Sequence, residues 1–306
     1  IGSYRFKEII LNGNSLILFF KRALRRTLQI LFEYPDIQLR SRVAEALNNE
    51  MDYDLLISIA VPHPIHWGVA KVWKGGTNIA RTWVADCGDP FMFARLDTFR
   101  KPFYFKHFEK QFCRRCDYIT VPIEGAVNAY YPEFRGKIKV IPQGFNINGV
   151  KIKRSVIKHY KPTFAYSGGF IQGKRDPRPF LDYLSKLNEE FKFIIYTNQE
   201  NLINGYKTIL GDKLEIRNYI PREELLEQLA GMDFLINFDN NTIEQLPSKL
   251  IDYAIVKKPV LNIARHTDLS VIKDFLAGDY SKRMNLADLN KYDIEIVAQQ
   301  FLGLAP

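Results

Sequence analysis

Apolar and polar positions alternate in blocks along the whole chain. Short apolar runs at 54–60, 78–84, 117–121 and 138–141 are bounded by Gly, Pro or polar clusters, and the same pattern returns at 163–167, 191–196, 214–217, 234–238 and 260–263. Continuous apolar runs of this length predict strands buried on both faces, as in parallel sheets. Between them lie segments with helical spacing, at 15–34, 39–49, 68–74, 99–113, 124–131, 177–187, 221–230, from Pro247-Ser248 onward, and 268–276, followed by a helical pattern over 288–304. Strands alternating with helices predict an α/β fold with right-handed crossovers. The pattern pauses in a polar, basic stretch and then restarts. The predicted organisation is a Rossmann-like domain over 1–147, a linker over 148–161, a second Rossmann-like domain over 162–280 and a helical tail over 281–306. An α/β domain ordinarily opens on a buried strand and a Gly-rich turn. The first residues, IGSYRFKEIILN, carry neither, so the sequence predicts a first domain without its N-terminal strands.

Length and composition agree with this picture and add a charge. The 306 residues, 46% hydrophobic and 25% charged, suffice for two packed cores. The formal net charge of +9 favours an anionic partner, such as a phosphorylated substrate or an acidic membrane surface. The cations are spread along the chain without a nucleic-acid module, so no nucleic-acid partner is expected. No apolar run has the length of a membrane span, and no signal-peptide pattern is present. Cys87, Cys113 and Cys116 fit a reducing compartment, and a cytoplasmic location is expected. Cys113 and Cys116 form a single CxxC with no further ligands nearby, which reads as structural and not metal-binding. The segment SLILFFKRALRRTLQILFEY interleaves apolar residues with Lys21, Arg22, Arg25 and Arg26. Such a helix either packs on a core with a solvated basic face or lies on an anionic membrane, which would be the inner face.

Candidate chemistry sits in the loops after strands, where open α/β sheets bind ligands. The loop VPHPIHW, residues 61–67, holds His63 and His66. Asp86 and Asp89 follow the next strand; they either orient a hydroxyl-rich substrate or cap turns. In the second half, strand 163–167 runs into Gly168 and Gly169, and then Lys174 and Arg175. Glycines allow close backbone approach to a phosphate, and the cations can neutralise it. The run GGFIQGKRDP is neither a Walker loop nor a full GxGxxG. Finally, Glu244 and Asp252 bracket a polar loop that feeds a helix carrying Lys249.

Three segments, taken together, resemble a known family. Val140-Ile141-Pro142-Gln143-Gly144-Phe145 is similar to the turn that ends the first domain of retaining GT-B glycosyltransferases of the family 4 type. Tyr166-Ser167-Gly168-Gly169 to Arg175 resembles their Gly-rich loop, and Glu244-x7-Asp252 within SKLIDYAIVKKPVL resembles their E-x7-E element. The segment from Pro221 to Gly231 also resembles the helix that precedes it. The resemblance spans about residues 50–300 and is strongest in the second half.

It implies a GT-B fold, two Rossmann-like domains facing across a cleft. It also implies transfer of a sugar, with retained configuration, from a nucleoside-diphosphate donor to a glycan or lipid-linked acceptor, as in cell-surface polysaccharide synthesis. Glu244 would contact the donor sugar, and Asp252, where the family usually has Glu, the ribose. Backbone amides at Gln245, Leu246, Pro247 and Ser248 would meet the sugar or phosphate at the helix N-terminus. Arg175, with Lys174 or Lys249, would neutralise the diphosphate, since Phe170 occupies the family's first basic position. Tyr219, in the turn Asn218-Tyr219-Ile220-Pro221, would stack on the base. His63 or His66 matches the region where the family places a first-domain residue near the reacting sugar. The sequence shows no DxD in strand-end context, so no metal or cofactor is expected and the nucleotide sugar enters as a substrate. Two alternatives stay open: a GT-B-shaped protein that binds a nucleotide sugar or a partner without transfer, and a sugar-nucleotide epimerase.

Overall fold

The computed structural model describes residues 9–73, 78–94, 99–147, 149, 152, 159–239, 249–286 and 288–306. These fall into two compact units, one holding the residues up to Gly144 with Ile294–Pro306, the other those from Phe145 to Asp293. The predicted tail is therefore divided, and its last helix belongs to the first unit.

The first unit begins with helix α1 (Ser15–Phe32), whose first turn is capped by the Asn14 side chain accepting the Ile17 N–H at 3.0 Å. Helix α2 (Leu39–Leu47) leads to strand β1 (Tyr53–Ala60), helix α3 (Pro64–Val72), β2 (Ala80–Cys87), α4 (Phe105–Arg115), β3 (Tyr118–Val121) and β4 (Ile138–Val140). The four strands are parallel and lie in sequence order. Their core is aromatic. Trp67 of α3 stacks on both Phe105 and Phe108 of α4, at 5.5 and 4.9 Å, and Trp83 of β2 donates its indole N–H to Ser58 Oγ at 2.8 Å. Cys113 and Cys116 are free thiols buried in this core.

Three expectations are corrected here. The helix predicted over 68–74 starts at Pro64, because proline needs no N–H bond and is preset in φ at the first helical position. Residues 124–131, read as an α-helix, form a short 3₁₀ run at Glu124–Ala129. The helix read as 99–113 is α4, shifted to begin after Pro102.

The second unit carries β5 (Thr163–Ser167), α5 (Arg178–Leu184), β6 (Lys192–Tyr196), α6 (Asn204–Leu210), β7 (Leu214–Arg217), α7 (Arg222–Ala230), β8 (Phe234–Phe238), α8 (Lys249–Val256), β9 (Val260–Ile263) and α9 (Val271–Leu276). Its parallel sheet has the order β7-β6-β5-β8-β9. The order reverses between β5 and β8, which is where a doubly wound sheet opens a crevice at its carboxyl ends. Phe164 stacks on Phe193 at 4.7 Å and on Phe234 at 4.5 Å, a ladder across three adjacent strands that holds their register.

Both units use one device to align neighbouring strands. Asp117, before β3, accepts the Trp83 N–H at 2.8 Å and donates its own N–H to Trp83 O at 2.9 Å. Asp233, before β8, does the same with Thr163, at 2.7 and 2.8 Å. Helix α10 (Ile294–Leu302) closes the first unit over Gly144. A Cβ on Gly144 would lie 3.2 Å from both Ile294 Cα and Val297 Cβ, so a side chain there would press on the start of α10.

Candidate functional site

In the second unit the carboxyl ends of β5 to β8 gather polar and cationic groups. Gly168 follows β5 directly with φ +144°, and its N–H reaches Tyr196 O at 3.0 Å. A Cβ there would stand 3.0 Å from Tyr166 Oη and 3.7 Å from Lys249 Nζ, so both conformation and space call for glycine. The loop is pinned from several sides. Tyr166 Oη donates to Gly169 O at 2.8 Å, Phe170 N–H donates to Gln199 Oε1 at 2.8 Å, and Ser167 N–H donates to Tyr253 Oη at 3.1 Å. This rigidity keeps the backbone open to an approaching ligand.

Lys249 opens α8 and points its Nζ over the Tyr166 ring at 4.1 Å from the centroid. That Nζ is buried and has no hydrogen-bond partner. Burial, and then the nearby Arg175 charge, push its pKa well below the usual lysine range, while Asp239 acts weakly the other way. Arg175 Nε is likewise buried and unpartnered. Two cationic groups with unmet donors beside a glycine turn, at a switch point, leave a place for an anion with several acceptor oxygens.

Other expected residues separate from this group. Lys174, next to Arg175 in sequence, lines a different cavity of about 360 Å³ with Arg265, Thr267 and Asp176. Tyr219 is exposed beyond β7, and its N–H is held by Asn198 Oδ1 at 3.1 Å. Asp252 Oδ1 accepts from Arg222 Nε and Nη2 at 2.9 and 2.6 Å. Glu244, Gln245, Leu246, Pro247 and Ser248 lie outside the described residues. Asn198 and Gln199 were not singled out in the sequence, although a polar run directly after an apolar strand was a signal for them.

In the first unit a cavity of about 290 Å³ opens where β1 and β2 end, walled by the last turns of α1. His63, Asp89, Phe91, Lys101, Glu33 and Gln29 line it. The His63 ring is buried, and neither nitrogen has a well-aligned hydrogen-bond partner, although the Asp89 backbone lies near enough to favour the charged ring weakly. Burial, reinforced by the Lys101 charge, pulls its pKa down to about 4, so it is neutral near pH 7. Lys101 pairs with Glu33 at 2.5 Å and lies 4.6 Å from the centroid of the Phe91 ring.

His63 and Asp89 are thus brought together. His66 and Asp86 are not. The loop expected at 61–67 ends at His63, and His66 lies one turn inside α3, wholly buried, between Ser58 Oγ at 2.8 Å and Cys87 Sγ at 3.4 Å. Its role is to tie α3 to β1 and β2. Asp86 accepts the Thr120 hydroxyl at 2.7 Å across the sheet, and burial raises its pKa. Among the described residues, no group of three or more His, Cys, Asp or Glu side chains is placed to hold a metal ion.

No protein-family model matches the chain, and no curated protein matches it in sequence. Solved structures do match. HepE from Anabaena in complex with UDP-glucose superposes with a TM-score of 0.57 at 13% identity, over 93% of this chain and 88% of that one. The same protein in complex with UDP gives 0.60 at 13% identity, over 93% and 88%. The lipopolysaccharide outer core galactosyltransferase WaaB gives 0.57 at 13% identity, over 95% and 81%. The fold of this chain, two α/β units each on a parallel sheet, is the one shared by these GT-B glycosyltransferase structures.

Proposed function

We propose that this protein transfers a sugar, with retention, from a nucleoside-diphosphate donor to a glycan or lipid-linked acceptor, in the manner of family 4 GT-B enzymes. The observation that carries the reading is the buried, unpartnered Lys249 Nζ beside Gly168 and Arg175 at the carboxyl ends of the second sheet. A diphosphate there satisfies both cations and restores the proton that burial disfavours on Lys249. HepE, bound to UDP and UDP-glucose, makes uridine the first base to try.

In the proposed step the acceptor oxygen bonds to the anomeric carbon as the bond from that carbon to the β-phosphate oxygen breaks. The acceptor proton passes to the departing diphosphate. Lys249 and Arg175 stabilise the charge that develops on the leaving group, and no metal is called for. Glu244 is assigned to the donor sugar, Asp252 to the ribose through its second carboxylate oxygen, and Tyr219 to the base. The acceptor side is assigned to the cavity holding His63 and Asp89. A neutral His63 can accept a hydroxyl hydrogen bond and later donate one without carrying charge.

The test is donor binding by calorimetry with UDP and GDP, followed by turnover with the matching sugar nucleotides, with and without a chelator. Glu244→Ala should retain nucleotide binding and lose transfer. Full transfer by that variant, or no nucleoside-diphosphate binding by the parent, overturns the assignment. Binding without any turnover would instead point to a nucleotide-sugar-binding protein.

A further inference from the structure

We propose that Arg222 touches the ribose of the nucleotide and, together with Asp252, makes the second unit select ribonucleotides over their 2′-deoxy counterparts. The inference rests on the transferase reading for its ligand. Arg222 is the first residue of α7, three positions after Tyr219, and its side chain crosses to α8. There its Nε and Nη2 both donate to Asp252 Oδ1, at 2.9 and 2.6 Å. The guanidinium carbon lies 5.8 Å from the centroid of the Phe145 ring, so an aromatic face and a carboxylate together hold the fork in place. Asp252 stands one turn beyond Lys249 on α8, and residues three apart on a helix share a face. Lys249, Asp252, Arg222 and Tyr219 therefore follow one another from the start of α8 to the turn before α7. A nucleoside diphosphate with its phosphates on Lys249 and its base on Tyr219 sets its ribose on the middle of that row.

The pair suits a diol better than it suits a structural tie. Its side chains are 41% and 18% exposed, and an ion pair so open to water contributes little to stability. Both bonds end on one carboxylate oxygen, which leaves Oδ2 to accept a hydroxyl hydrogen. A guanidinium carries five N–H donors. Two are used on Asp252, and the rest are left for a hydroxyl oxygen. Held this way, the two side chains present an acceptor beside a donor. The adjacent 2′ and 3′ hydroxyls of a ribose meet both. A 2′-deoxyribose leaves one of them unmet, which is how a site made for a hydroxyl rejects the analogue that lacks it.

The experiment is calorimetric binding, to the whole chain, of whichever of UDP and GDP the parent prefers and of its 2′-deoxy form. It is run on the parent, Arg222→Ala, Asp252→Asn and the double variant. The quantity read is the ratio of the two Kd values, which a mere tie between helices would not move. The parent should bind the ribonucleotide about 10- to 150-fold more tightly, the span of a hydrogen bond to a charged group. Arg222→Ala should cut that ratio roughly fivefold or more, the worth of one ordinary hydrogen bond. Asp252→Asn should keep part of the ratio, and the double variant should bring it close to one. Melting of all three variants should match the parent, because the pair is exposed. An unchanged ratio in Arg222→Ala overturns the proposal even if overall affinity falls, and so does a parent ratio near one. If Asp252→Asn alone abolishes the ratio, Arg222 acts only by positioning Asp252 and the direct contact is refuted. A parent that binds no nucleoside diphosphate at all refutes the transferase reading itself, and this assignment with it.

Discussion

Lys249→Met separates stability from binding, and the two should move in opposite directions. Methionine keeps much of the stem's packing and removes the buried amino group, whose charged form burial disfavours. In the parent that group has no hydrogen-bond partner, and the Tyr166 face at 4.1 Å offsets only part of its lost hydration. An unsatisfied buried polar group costs about 1–3 kcal/mol, so the variant should gain roughly that much unfolding free energy. For a unit of this size each kcal/mol raises the midpoint by about 2–4 °C. The same change should weaken nucleoside-diphosphate binding. A hydrogen bond to a charged group contributes about 1.5–3 kcal/mol, which corresponds to about a 10- to 150-fold rise in Kd. The pKa shift supplies a second signature. Lys249 is held well below the ordinary lysine range when unliganded, and a diphosphate favours its charged form. Binding should therefore take up a proton, and affinity should fall as pH rises. Calorimetry in two buffers of different ionisation enthalpy should show this uptake in the parent and not in the variant. A variant that melts lower, or that binds UDP as well as the parent, would refute the claim that Lys249 waits for an anion.

Glu109 and His63 should act on stability with opposite signs in almost the same pH window. Burial raises Glu109 to about 7 from 4.5, so stability falls as pH climbs from about 4.5 to 7; burial lowers His63 to about 4 from 6.5, so stability rises between about 4 and 6.5. Glu109→Gln should therefore stabilise the protein by about 3 kcal/mol at pH 8 relative to pH 4, measured by urea titration at each pH; an unchanged difference would count against a buried, neutral Glu109. Gly168→Ala should destabilise the second unit by roughly 1–3 kcal/mol through its φ of +144° and its 3.0 Å approach to Tyr166 Oη, and should impair UDP binding; a variant that melts and binds like the parent would show that the turn tolerates a side chain.

Much of the fold was legible because buried parallel strands are continuous apolar runs. The runs read at 163–167, 214–217, 234–238 and 260–263 coincide with β5, β7, β8 and β9. Where the reading failed, one residue carried two signals. Pro62 and Pro64 looked like loop residues, yet Pro64 begins α3, and that shift alone moved His66 from a ligand loop into the core. Gly125 and Asn128 disfavour a full α-helix, and the structure resolves the conflict as a 3₁₀ run.

The site was legible to the level of its loops and no finer, and the reason is geometric. In a helix or strand, sequence spacing fixes which neighbours share a face; in a turn it does not. Lys174 and Arg175 are adjacent, and a charge count assigns both to one phosphate. The glycine turn sends Arg175 toward Lys249 and Lys174 into a cavity shared with Arg265. The cation that completes the pair with Arg175 comes instead from α8, far along the chain, where Tyr166 forms the floor beneath its Nζ. The same holds in the first unit. His63 gains a site only because the end of α1 and Lys101 reach it from distant segments. In both units a strand end supplies the position, while the charge environment that gives it chemistry arrives from elements that local pattern cannot connect.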